Sequence, residues 1–235
     1  LPLCLSLGLP AQTSASLADL SLEQLMEVEV TLVSRRRQPL SKAAAAVYVL
    51  TADDIRSAGA RSLPDALRLV PGLQVARIDA SKWSVSARGF GGQFANKLLV
   101  LIDGRSVYTP LFAGVFWDVQ DLLLEDVERI EIIRGPGAAL WGANAVNGII
   151  NVITRHSVDT QEGLLVASGG RQRRSEVAVA YGGTVAGDPT TTYRVYGKYF
   201  DQPAGTDSSG ARGMDVQQMW RGAMRIDHRS GGDSW

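Results

Sequence analysis

The polar and apolar positions of this chain follow two rhythms that meet near residue 160. Before it, short apolar runs broken by Gly, Pro, Asp and Asn predict short helices mixed with short strands. Ser21-Leu22-Glu23-Gln24, Thr51-Ala52-Asp53-Asp54 and Ser62-Leu63-Pro64-Asp65 share the spacing in which a hydroxyl caps the amide three residues on. The second motif leads into Ile55 and Ala58, with Gly59 as the stop. The third opens a helix whose Ala66, Leu67, Leu69 and Val70 face a core until Pro71-Gly72 ends it. Strands are predicted at 47–50, 73–77, 85–88, 98–102, 130–134 and 149–154. The first part reads as a small α+β domain.

After residue 160 the period becomes two. Tyr193, Val195 and Tyr199 alternate with Thr192, Arg194 and Lys198; Trp220, Met224 and Ile226 oppose Arg221, Arg225 and Asp227; Val177, Val179 and Tyr181 lie opposite Glu176. Short turns, Ala186-Gly187-Asp188-Pro189 and Ser230-Gly231-Gly232-Asp233, alternate with a longer polar segment, 202–216. A soluble antiparallel sheet with one wet face has the same period. Aromatics near strand ends, Tyr181, Tyr199, Phe200, Trp220 and Trp235, with charges on the opposite face favour strands that cross a membrane.

Composition sharpens the picture by exclusion. Of 235 residues 45% are hydrophobic and 20% charged, which is ordinary folded material. Lys+Arg and Asp+Glu both total 24, so the basic surplus of a nucleic-acid binder is missing. Cys4 is a single cysteine, and with only His156 and His228 beside it no zinc spacing arises. No run reaches the roughly 18 mostly apolar residues of a helical membrane span, a test that says nothing of β-barrels. The apolar stretch 1–9, followed by small residues at 11–15, reads as the remainder of an export signal.

Two stretches carry most of the remaining information: Leu98-Leu-Val-Leu-Ile-Asp-Gly-Arg105, and the run from Val127 through Arg134-Gly-Pro-Gly-Ala-Ala-Leu-Trp141 to Asn151-Val-Ile-Thr154. Together with Leu63-Pro-Asp-Ala-Leu-Arg-Leu-Val-Pro-Gly72 and Val85-Ser-Ala-Arg-Gly-Phe90, in this order, they closely resemble the plug domain of TonB-dependent outer-membrane receptors. The resemblance covers about residues 26–156. It implies an α+β plug domain with a small mixed sheet, followed by antiparallel strands of an incomplete transmembrane β-barrel. The domains expected are a residual signal peptide at 1–15, an N-terminal extension at 16–40, the plug at 41–157 and the first barrel strands at 160–235. About four strands, against about 22 in plugged transporters, correspond to a receptor's first third.

The physical reading of the motifs stands beside the name. Asp103-Gly104 ends an apolar strand in a tight turn, and Arg134-Gly135-Pro136-Gly137 closes another before a short helix at 138–141. The glycines at 135, 137 and 142 fall short of a dinucleotide fingerprint, because Leu140 holds the third glycine position. No serine elbow, cysteine–histidine pair or histidine–carboxylate metal motif is present, so an enzyme is not expected and no cofactor is assigned. The resemblance implies a receptor in the bacterial outer membrane that imports a metal chelate, typically a ferric siderophore, or cobalamin. TonB and its inner-membrane complex would energise it. A soluble periplasmic binding or adaptor module is the alternative.

By the same resemblance, the outward plug loops at 81–94 and 106–117 contact the cargo. Their candidates are Trp83, Arg88, Gln93, Tyr108 and Phe112, with Phe116 beside them, while Phe90 and Trp117 read as packing residues against the barrel wall. Arg88 and Arg134 are expected to pair with barrel-wall carboxylates, with Glu125, Asp126, Glu128 and Glu131 as partners nearer by. Glu27, Val28, Glu29, Val30, Thr31, Leu32 and Val33 form an extended segment before Arg35-Arg36-Arg37. It is read as the unpaired tether, the TonB box, that a partner sheet takes as an added strand.

Overall fold

The computed structural model describes residues 29–30, 38–39, 46–89, 91–135, 141–142, 144–170, 174–206 and 209–229, with backbone only at 29–30 and 38–39. The capping motif at 21–24, most of the helix expected at 138–141, the turn at 230–233, Phe90 and the candidates Glu27, Val28, Thr31, Leu32 and Val33 lie outside these residues. Two compact units are present. Among the described residues, one comprises those up to Ile78 together with Lys82–Thr154; the other comprises Asp79–Ser81 and those from Arg155 onward.

In the first unit, the strands β1 (Glu29–Val30) and β2 (Gln38–Pro39) form a two-residue antiparallel ladder of their own. The chain then enters β3 (Val47–Thr51), and α1 (Ala52–Ser57) follows directly because Thr51 caps it. Thr51 Oγ1 accepts the Asp54 amide at 3.1 Å, and the Thr51 amide donates back to Asp54 Oδ2 at 2.9 Å. α2 (Leu63–Ala66) is capped by Ser62, whose Oγ accepts the Asp65 amide at 3.3 Å, and tightens into a 3₁₀ turn at Leu67–Leu69. β4 (Leu73–Arg77) and β5 (Trp83–Ala87) form a separate hairpin.

The larger sheet is mixed. β6 (Leu98–Ile102), β7 (Arg105–Ser106), β8 (Val127–Ile133) and β9 (Gly148–Thr154) join β3 in the order β3-β8-β9-β6-β7, with β6 parallel to β9 and the other pairs antiparallel. Both faces are covered, which is why Leu-Leu-Val-Leu-Ile reads as one apolar run. Val100 and Ile102 join the main core with Ile130, Ile132, Ile150 and Val152, while Leu99 and Leu101 pack on the other side with Ile133, Ala145 and Ile149.

Two strands differ from the sequence expectation at both ends, and β3 and β9 are each one residue longer. β5 begins at Trp83 and stops at Ala87, because Arg88 (φ 55°) and Gly89 (φ 84°) turn the chain out of extended geometry. β8 begins three residues earlier than the apolar run, at Val127, and Arg134 falls outside it.

The Asp103-Gly104 turn does more than reverse the chain. Both residues take positive φ, 49° and 76°, which matches the twist of the β6–β7 hairpin. Asp103 Oδ1 accepts the Thr154 amide at 2.8 Å and Oδ2 accepts the Thr154 hydroxyl at 2.9 Å, so the turn closes the far end of β9.

The second unit is a meander, β10-β11-β12-β13, of β10 (Glu162–Ser168), β11 (Ser175–Val185), β12 (Asp188–Gln202) and β13 (Gln217–His228). Two residues separate β11 from β12, whereas residues 203–216 separate β12 from β13.

Asp103→Ala removes two hydrogen bonds on Thr154 and leaves a β-carbon residue at positive φ. It should destabilise the sheet by about 2–3 kcal/mol. Amide exchange at Thr154 checks this, and protection equal to the wild type would refute the role given to the carboxylate.

Candidate functional site: the plug loops and the strand faces

The loops at 81–94 and 106–117 meet. The Tyr108 hydroxyl donates to the Asn96 carbonyl at 2.5 Å, and burial raises its phenol pKa. Phe112 stands edge-on between Phe94 (5.0 Å, 74°) and Phe116 (4.8 Å, 86°). Thr109 and Gly114 close a small hairpin, the Thr109 amide donating to the Gly114 carbonyl at 2.8 Å. At its tip Leu111 is 78% exposed. Gly114 is required there by close approach: a β-carbon would sit 2.3 Å from the Phe112 ring. Gln93 lies in the turn before Phe94, half-buried. The Gly92 amide donates to Ser84 Oγ at 2.8 Å, which lays this loop over β5.

The other candidates make different contacts. Trp83 is the first residue of β5, half-buried against the main core, with the guanidiniums of Arg68 and Arg77 over its ring at 5.0 and 5.7 Å. Arg88 Nη2 donates to the Arg134 carbonyl at 3.1 Å, and Arg134 Nη1 donates to the Pro71 carbonyl at 3.2 Å. Their described partners are thus backbone carbonyls. Of the nearer carboxylates, Glu128 and Glu131 pair with Arg129, the buried Glu131 at 3.0 Å from Nε. Trp117 is buried in the main core of its own unit. The tether segment is extended at Glu29–Val30, as expected, but it is paired there, with Gln38–Pro39.

The four strands are polarised the opposite way from a soluble sheet. Leu165, Val177, Val179, Tyr181, Val195, Met224 and Ile226 are exposed, and Trp220 is 80% exposed. The alternate positions Glu176, Thr192, Arg194 and Lys198 are buried, Lys198 at 2% exposure, and Asp201 is buried at the end of β12. Lys198 Nζ lies 3.4 Å from Glu176 Oε1, and Arg174 Nη1 lies 3.2 Å from Asp201 Oδ2. The segment entering the strands is fastened on the same side. The Ser157 amide and hydroxyl both donate to Asp227 Oδ2 at 2.7 Å, Ser157 Oγ bonds Thr192 Oγ1 at 2.7 Å, and Arg194 donates to the Arg155 carbonyl at 2.6 Å. Phe200, expected among the exposed aromatics, is 2% exposed, because its even number puts it on the polar, covered face. Tyr199, its neighbour, stacks on Trp220 instead, with ring centroids 4.5 Å apart.

Residues 39–149 match the model of the TonB-dependent receptor plug domain. The vitamin B12 transporter BtuB of Photobacterium profundum is 31% identical over 217 residues, which cover 92% of this chain and 33% of that protein. An iron-regulated outer membrane virulence protein of Vibrio cholerae (strain El Tor Inaba N16961) is 33% identical over 159 residues, 66% of this chain and 24% of that one. The crystal structure of the siderophore receptor PirA from Acinetobacter baumannii superposes with a TM-score of 0.61 over 80% of this chain and 30% of PirA, at 23% identity. The chain belongs to the TonB-dependent receptors. It spans about a quarter to a third of the length of these curated relatives.

In this receptor the described loops bring Gln93, Tyr108 and Phe112 into one neighbourhood, while the described contacts of Trp83 and Arg88 go elsewhere. Sequence reasoning missed Phe94, which forms one wall of the aromatic group, although it ends the same loop as Gln93. It also missed the pairing of Arg68 and Arg77 around Trp83, a contact between a 3₁₀ turn and a strand.

The apolar strand face yields a direct test. Val179→Arg, in the middle of β11, should destabilise the full-length receptor by about 2–4 kcal/mol in lipid, whereas Val179→Leu should be tolerated. The folded fraction in lipid vesicles measures it. Equal folding of both variants would show that this face does not meet lipid.

Proposed function

We propose that this chain is the plug and opening barrel of an outer-membrane receptor for TonB-dependent active uptake of a scarce solute, a ferric siderophore or related chelate or cobalamin. The observation that carries the reading is the polarity of β10–β13. An apolar exposed face over a buried, paired row of charges suits strands with lipid on one side and a polar lumen on the other. A plug whose sheet is apolar on both faces suits a rigid body that gates such a lumen. The kinship with a vitamin B12 transporter and with siderophore receptors supports the cargo class. Energy comes from TonB and its inner-membrane complex, because the outer membrane lacks a nucleotide supply. The outer membrane is accordingly the site of action.

The proposed cargo contacts are Trp83, Arg88, Gln93, Tyr108 and Phe112, with the edge-packed Phe94 and Phe116 behind Phe112. Uptake of cyanocobalamin and of a panel of ferric chelates, by cells making the full-length receptor with and without TonB, tests the function. Uptake of none of them, or uptake indifferent to TonB, would refute it. In the receptor that imports, Arg88→Ala and Tyr108→Ala should each weaken cargo binding by about five- to tenfold, as for loss of one strong polar contact. Unchanged affinity in both would remove these loops from the site.

The proposed TonB box is 27–33. Val30→Pro removes an amide donor from the segment that a partner sheet would take as a strand. Energised uptake should be abolished while membrane insertion and cargo affinity stay at wild-type levels. Loss of insertion or of binding would make the segment core structure instead.

A further inference from the structure

The tip of the β4–β5 hairpin, Asp79–Ser81, groups with the strands of the second unit, although the two strands it joins belong to the first. One carboxylate ties the tip there. Asp215, on the connection between β12 and β13, accepts the Ala80 amide on Oδ2 at 2.6 Å and the Gly205 amide on Oδ1 at 2.9 Å. Ala80 is buried. Asp79 directs its own carboxylate to the Ser81 amide at 2.9 Å, so the two acidic groups of this neighbourhood serve different donors.

The connection is built around that carboxylate. The Gly213 amide donates to the Gly205 carbonyl at 2.9 Å, and Thr206 bridges Arg212, so the two sides of the connection pair with each other. Room for Asp215 depends on two glycines. A β-carbon at Gly205 would lie 3.0 Å from Oδ2, and one at Gly213 would lie 2.6 Å from Oδ1. The two amides hold the carboxyl below the usual carboxylate range, the Ala80 amide foremost.

We propose that Asp215 is a positioning residue that clasps the hairpin tip at Ala80 to the β12–β13 connection and thereby sets Trp83, at the start of β5, for cargo binding. The consequence for cargo rests on the uptake reading above; the clasp itself does not. The tip is short: the Ile78 amide donates to the Lys82 carbonyl at 2.9 Å, and Trp83 follows at once, paired with Arg77. A tip held at Ala80 therefore fixes the strand origin three residues on. The connection it is held to lies at the long-loop end of the strands, opposite the tight β11–β12 turn. In outer-membrane barrels that is the extracellular end, from which cargo arrives.

The test uses the full-length receptor. Asp215→Asn keeps the shape but turns one acceptor oxygen into an NH2 group, which cannot accept the second amide. Gly213→Ala keeps every hydrogen-bonding group and crowds Oδ1. Both variants should speed exchange of the Ala80 amide, by about tenfold for Asp215→Asn, with Val100 in β6 unchanged. With cyanocobalamin and a ferric catecholate as probes, whichever the wild type binds should be held about five- to tenfold more weakly by Asp215→Asn. Unchanged Ala80 exchange in both variants overturns the clasp. Faster exchange with unchanged affinity overturns the positioning role. A wild type that binds neither probe defeats the cargo reading and the positioning role with it, while the exchange measurement still decides the clasp.

Discussion

Charged side chains covered on one side of a sheet, with valine, leucine and tryptophan uncovered on the other, invert the burial pattern of a soluble protein. The rest of the second unit follows from that inversion. An unpaired buried charge costs several kcal/mol, so Lys198 meets Glu176 and Arg225 meets Asp227. Lipid offers no hydrogen bonds, so backbone groups must be satisfied by neighbouring strands, and β11, β12 and β13 run 11, 15 and 12 residues in continuous register apart from one shift beside the tight turn. A soluble sheet with one wet face shares the period of two but would cover the valines and expose the lysine. The burial pattern therefore separates two readings that the sequence period left standing.

Most of the architecture was legible because its signals are local. Capping at Thr51 and Ser62, the Asp103-Gly104 turn and the apolar runs of β6 and β9 each depend on residues within a few positions, and each forms as expected. What the sequence did not disclose are contacts across long separations. Asp103 on Thr154 spans 51 residues, Ser157 on Asp227 spans 70 and Asp215 on Ala80 spans 135. A carboxylate that accepts a distant amide has no partner motif to match, since every residue but proline carries that donor. The position of Phe200 was misread for a different reason. Its aromatic character pointed outward while its parity pointed inward, and parity, which sets the face of every strand residue, prevailed.

The plug's arginines find their described partners in two ways. Arg88 and Arg134 lie in a chain with abundant carboxylates, yet their described bonds go to the carbonyls of Arg134 and Pro71. Those bonds tie three turns together: the one after β5, the one after β8 and the one at Pro71-Gly72. Arg88 adopts a positive φ, a conformation costing about 1 kcal/mol for a residue with a β-carbon. Its guanidinium bond helps to hold that turn. Meanwhile Arg129 takes the nearby acidic groups, since it lies on β8 two residues from Glu131, on the same face of the strand. Proximity along a strand decided the ion pair, and turn geometry decided the other two arginines.

The ladder at Glu29–Val30 bears on how a partner would engage the proposed box. A strand can be added only to backbone groups that are free or cheaply freed. Here the pairing covers two residues on each side, and Pro39, opposite Glu29, has no amide to donate. So short a ladder stands far below the length at which an isolated hairpin holds together in water. It belongs to neither the five-stranded sheet nor the β4–β5 hairpin, so opening it breaks no ladder of the plug. An incoming strand that pairs with more of 27–33 than Gln38–Pro39 does would gain hydrogen bonds on exchange. On the proposed reading, the self-pairing keeps an edge from sticking to unintended strands while leaving it open to a longer, specific one.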